Sequence, residues 1–136
     1  LIKHFIELRA ASPEGSAHVL DIDGLKDPSI KFWSLWKNDL LTGCGALKFL
    51  NDEHGEFKSI RVHDTFRKKG YGIEIINHLI LEAKKLKVKQ LSIETGAGIF
   101  FIPARKLFKN CGFEPCEPFA HYKKDINSIY LTKFIS

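Results

Sequence analysis

At Gly70 the hydrophobic pattern of this chain changes period, and that change constrains the fold more than any other feature. Before it, Glu56-Phe57-Lys58-Ser59-Ile60-Arg61-Val62 reads as an extended segment. After it, Ile73, Ile76, Ile80 and Ala83 recur at helical spacing, and Leu79 and Leu86 widen the apolar stripe. The pattern predicts a helix of about four turns packed on a sheet, entered through a short polar connection.

The connection, Arg67-Lys68-Lys69-Gly70-Tyr71-Gly72, has the chemistry of an anion cradle. Gly70 and Gly72 lack a Cβ, so the backbone can bend sharply and approach a ligand closely. The first four N–H groups of the helix have no partner within it, and they lie at the positive end of its dipole. A nucleotide-like diphosphate is the natural occupant, held by backbone donors from Lys68 to Ile73. Arg67, Lys68 and Lys69 add full charges. From Lys58 to Lys89 there are nine Lys and Arg against three acids, in a chain of net charge +5. A basic middle suits a multiply phosphorylated ligand, and it also suits nucleic acid. Lys84, Lys85 and Lys87 are read instead as a solvated helix end complementing the dipole.

The 136 residues are expected to fold as one domain with a core of its own. Leu1 to Arg9 reads as helical, with apolar residues at 2, 5, 6 and 8. Ser12 to Ser16 breaks that pattern, and Val19 to Asp27 reads as a short helix ending before Pro28. Ile30–Trp36 and Leu40–Leu50 are predicted strands, the second interrupted by Gly43 and Gly45. Asn51 to Gly55 signals a turn into the central strand, giving an antiparallel run. Val88–Glu94 is the next strand, and Phe100–Asn110 a second helix interrupted or started at Pro103, with Gly112 past its end. Ile129–Ile135 alternates as a last strand.

Two blocks, in order, carry a family resemblance. Arg67-x-x-Gly70-x-Gly72 resembles the Arg/Gln-x-x-Gly-x-Gly/Ala signature of the GNAT superfamily, the acetyl-CoA-dependent N-acetyltransferases. Ala104-Arg105-Lys106-Leu107-Phe108-Lys109-Asn110-Cys111-Gly112-Phe113 resembles its later A-x-x-L-Y-x-x-x-G-F segment. The resemblance covers Leu41 to Phe113 well. It implies an α/β (α+β) fold with a mixed, mostly antiparallel central sheet, helices on both faces and a splay between strands 4 and 5. The family's first strand would then be missing at the N-terminus, or hidden in a stretch read otherwise.

The resemblance also implies the chemistry. Acetyl-CoA is the co-substrate, and the acceptor is a primary amine of a small molecule or peptide that attacks directly in a ternary complex. Arg67, Lys68, Lys69, Gly70, Tyr71, Gly72 and Ile73 would hold the pyrophosphate. Ile60, Arg61 and Val62 would offer a strand edge to the amide-rich pantetheine arm, with a backbone N–H polarising the thioester carbonyl for about 3 kcal/mol. A base is needed because a protonated amine cannot attack. Glu56 is the candidate, eleven residues before Arg67 as in some family members, and alternation would put Glu56, Lys58, Ile60 and Val62 on one face. A turn-capping role beside Gly55 is the competing reading of Glu56. Phe108 replaces the family's usual Tyr, and Phe101 stands where an Asn is common, so a general acid and one cofactor contact are missing.

Other features read as structure. His63 and His121-Tyr122 are expected on the surface, although the latter pair could line an acceptor pocket. Trp33 and Trp36 read as core, and Cys44 and Cys111 as packing residues. Three cysteines suit neither a disulfide framework nor a zinc site, and reduced thiols fit a cytoplasmic protein. No metal, membrane or nucleic-acid partner is expected, and the resemblance inclines toward a homodimer. A non-catalytic CoA-binding sensor, favoured by Phe108, and a basic nucleic-acid module are the alternatives. A dinucleotide site fails because Glu74 and Ile75 follow Gly72 where G-x-G-x-x-G requires a further glycine.

Overall fold

The computed structural model describes residues 3–8, 28–62 and 70–135. The strands are β1 (Lys3–Leu8), β2 (Ile30–Lys37), β3 (Leu40–Phe49), β4 (His54–Val62), β5 (Gln90–Gly96), β6 (Glu114–Pro115) and β7 (Ser128–Phe134). The helices are α1 (Tyr71–Lys85) and α2 (Ile102–Asn110), the latter entered through a 3-10 turn at Ile99–Phe101. The strands form one sheet in the order β1-β2-β3-β4-β5-β7-β6. Among the described residues β4 and β5 pair in parallel and the other neighbours antiparallel.

The short connections follow from their side chains. Asn38 turns β2 into β3 at φ 54°, a left-handed conformation that Asn tolerates. The Asn51 Oδ1 accepts N–H bonds from Glu53 and His54, each 2.9 Å, which closes the turn into β4. The Gly43 and Gly45 positions do not interrupt β3, which runs unbroken from Leu40 to Phe49. Helix α2 ends in a Schellman motif: Gly112, at φ 95°, donates to Lys109 O, and Phe113 donates to Phe108 O.

One expected element is of a different kind. Leu1 to Arg9 reads as a helix, yet Lys3–Leu8 is the edge strand β1, paired with β2 from Lys3↔Lys37 to Leu8↔Phe32. Pairing with β2 decides the matter, since a six-residue run fits either period and backbone groups need partners. The helix read within Val19 to Asp27 lies outside the described residues.

Both described helices pack on one face of the sheet. Trp33, Leu35, Leu47 and Phe57 meet Ile75, Ile76, Leu79, Ile80 and Ala83 of α1, and Phe108 and Phe113 close the cluster at α2. Each such side chain contributes about 1.5–3 kcal/mol by leaving water. The opposite face is also buried at Phe32, Ser34, Cys44 and Ala46.

Strand β4 does not alternate along its whole length. Register runs from Ala46↔Lys58 to Cys44↔Arg61, so Ser59 and Ile60 together face one residue, Gly45. Ser59 takes φ 55° at this bulge. One extra residue reverses the pleat beyond it. Ile60 and Val62 therefore pack against the α1 core and do not share a face with Glu56 and Lys58, as strict alternation would have it.

Candidate active site

The parallel ladder joins His54, Gly55 and Glu56 of β4 to Gln90, Leu91 and Ser92 of β5. Phe57 and Leu91 take the helix-covered side, so Glu56 points to the other face. Polar groups gather there. His54 Nε2 lies 2.7 Å from Ser92 Oγ, which is 2.9 Å from Thr132 Oγ1, and Gln90 donates to Thr132 at 3.0 Å. Burial pushes His54 below its ordinary value, an effect partly offset by the Glu56 carboxylate.

Glu56 is only 2% exposed, so it is not a turn-cap residue at the surface. Its Oε2 accepts the Tyr122 phenol at 2.6 Å and lies 3.9 Å from Lys58 Nζ. Its Oε1 is buried and has no hydrogen-bond partner among the described residues. A buried carboxylate oxygen without a donor is costly, so such an atom calls for an explanation.

Of the His121-Tyr122 pair, His121 is exposed as expected, whereas Tyr122 is half-buried. It reaches Glu56 across 66 positions of sequence, which no spacing rule announces. Its ring contacts Phe119 at 5.1 Å, Tyr130 at 5.7 Å and His121 at 4.9 Å between centroids. Burial, and then the hydrogen bond to Glu56, push its phenol well above the usual range, so it remains a donor.

At the other part of the site, α1 starts from Gly70 at φ 86°, with no side chain capping the helix. Among the described residues, a Cβ added at Gly70 would meet nothing within 4 Å. The left-handed bend accounts for this glycine. Gly72 has a different reason: a Cβ there would sit 2.7 Å from Leu107 Cδ2, so its absence lets α1 rest against α2. Arg67, Lys68, Lys69 and His63 lie outside the described residues. Gly70, Tyr71, Gly72 and Ile73 form the helix start, and Ile60, Arg61 and Val62 the end of β4 beyond the bulge.

Residues 4–113 match the family model described as the Acetyltransferase (GNAT) family. The chain belongs to that family. It is 45% identical over 131 residues to the uncharacterized N-acetyltransferase YsnE of Bacillus subtilis (strain 168), covering 96% of this chain and 87% of that protein. It is 38% identical over 129 residues to the uncharacterized N-acetyltransferase YedL of Escherichia coli (strain K12), covering 95% and 81%. A structure of a putative acyl-CoA N-acyltransferase from Klebsiella pneumoniae superposes with TM-score 0.86 over 99% of both chains at 21% identity. A GNAT family acetyltransferase from Elizabethkingia anophelis, solved with acetyl-CoA bound, superposes at 0.74 over 97% of both chains at 23% identity.

In this GNAT enzyme Phe108 is 3% exposed and packs edge-on against Phe113, so its ring serves the core. Arg105 fastens α2 to the end of β5, donating to Gly96 O at 2.7 Å and Gly98 O at 3.0 Å. Burial pushes the Cys44 thiol up to about 11, partly offset by Arg61, which leaves it a packing residue. No described helix is long and apolar enough to cross a membrane.

Proposed function

We propose that this chain transfers an acetyl group from acetyl-CoA to a primary amine of a small molecule or peptide. The observation that carries the reading is Glu56 Oε1, a buried acceptor without a partner among the described residues, on the face opposite the described helices. A general base must be deprotonated, fixed and reachable by the amine, and this oxygen meets the need for a fixed acceptor. Gly70, whose Cβ position has no neighbour within 4 Å among the described residues, supports the other half of the reading. It leaves room for linked phosphates against the helix start, where backbone donors and dipole favour them.

In this mechanism β4 and β5 part beyond the Glu56–Ser92 pair, and the pantetheine arm pairs with the Ile60–Val62 edge. The bulge at Ser59 supports that role, because a bulge takes backbone groups out of the ladder. A backbone N–H there polarises the thioester carbonyl. Glu56 takes a proton from the ammonium, the amine nitrogen bonds to the acetyl carbon, the C–S bond breaks to release the thiolate, and the nitrogen's second proton passes to water. Phe108 has no proton to give, so the thiolate leaves as such or takes a proton from water; a thiolate is a fair leaving group.

The test is thiol release from acetyl-CoA across a panel of amino acids, polyamines, aminoglycosides and peptides. Release that depends on the added amine is expected. CoA binding without amine-dependent release from any member of the panel would refute the enzyme and leave a sensor.

A further inference from the structure

We propose that Tyr122 is the positioning residue for Glu56: its phenol holds Oε2 and leaves Oε1 as the single oxygen open to the acceptor's proton. This rests on the reading of Glu56 as the base. The arrangement is asymmetric. Oε2 accepts a 2.6 Å bond from Tyr122, whereas Oε1, also buried, has no partner among the described residues. A donor fixed on one oxygen pins the plane of the carboxylate and favours its charged form. One defined lone pair is thereby left toward the substrate.

Tyr122 is itself held from both sides. Cys116 N–H donates to Tyr130 O at 2.9 Å, and the Tyr130 phenol donates to Lys123 O at 2.8 Å. Further on, Ser128 Oγ donates to Glu94 Oε2 at 2.7 Å. Phe119 and Tyr130 pack against the Tyr122 ring. The aromatic contacts therefore fix the ring, and the hydroxyl is the part that acts on Glu56. The other charged or titratable groups facing this pair are Lys58 and His54 of β4, Glu94 of β5 and Tyr130 of β7; His121 stacks on Tyr122.

Tyr122→Phe removes the hydroxyl and keeps the ring. With the amine that turns over fastest in the panel, the acid limb of the kcat/KM–pH profile should move up by about one pH unit. The KM for acetyl-CoA should stay unchanged, and the substitution should have no further effect in a Glu56→Gln background. Carbon NMR of the labelled Glu56 carboxyl, assigned with Glu56→Gln, should show the same displacement without any turnover. Fluorotyrosine in place of Tyr122 strengthens the donor and should move both readouts to lower pH, which guards against a Phe variant that folds poorly. An unmoved carboxyl titration in both variants overturns the proposal. An unmoved acid limb with a crippled Glu56→Gln enzyme overturns it and leaves Glu56 as base. A Glu56→Gln enzyme with the wild-type rate and pH profile removes the base reading, and the proposal with it.

Discussion

Gly70 allows fold and ligand binding to be separated by substitution. Its φ of 86° is one that L side chains adopt at a cost of about 1–2 kcal/mol, but among the described residues nothing lies within 4 Å of its Cβ position. Gly70→Ala therefore meets no steric clash with the described residues. Its cost is backbone strain, partly offset because Ala restricts the unfolded chain by about 0.4–1 kcal/mol. A net loss of about 1 kcal/mol corresponds to a fall of about 4 °C in Tm for a chain of this size. Gly70→Asn differs, because Asn is enriched in the left-handed region; its stability should stay within about 0.5 kcal/mol of wild type. If the open space belongs to the coenzyme's phosphates, the Asn side chain competes with them. CoA affinity should then fall at least about tenfold, or about 1.4 kcal/mol, in a protein that melts normally. Melting curves and calorimetric titration of CoA on the same samples give both numbers. Wild-type affinity in the Asn variant would refute the assignment of that space to the ligand.

Two further outcomes test the packing and the pH response. Gly72→Ala pushes a methyl group to 2.7 Å from Leu107 Cδ2; it should destabilise by about 1 kcal/mol, a loss that should vanish in a Leu107→Ala background by thermal melts. His54 and His78 are both pushed below the ordinary value of 6.5, mainly by burial. The unfolded chain therefore binds the extra protons, and stability is complete above 6.5 and falls as pH drops below it. His54→Gln cannot titrate, so urea unfolding of that variant should show a shallower loss on acidification; an unchanged slope would remove His54 from the account.

Much of this was legible where one rule acts alone. The β2, β3, β4 and β7 patterns, the four-turn stripe of α1 and Gly112 past α2 each follow from local period or cap chemistry. The failures share a physical cause, which is long-range contact. Lys3–Leu8 is a strand because β2 offers it partners, and nothing in six residues reveals that. Ser59 sits in a bulge without the glycine that often marks one, so strict alternation puts Glu56 and Ile60 on one face. Gly72 also has a packing reason that its motif does not show, the side chain of Leu107. Tyr122 meets Glu56 only because the segment before β7 is tied back over the sheet, a placement set by tertiary hydrogen bonds.

The most direct measurement of the central claim compares Glu56→Gln with wild type in amine-dependent acetyl transfer over a range of pH. The account predicts a deficit of about a hundredfold at low pH, shrinking as the amine loses its proton unaided. A deficit that stays constant across pH, or none at all, would contradict it.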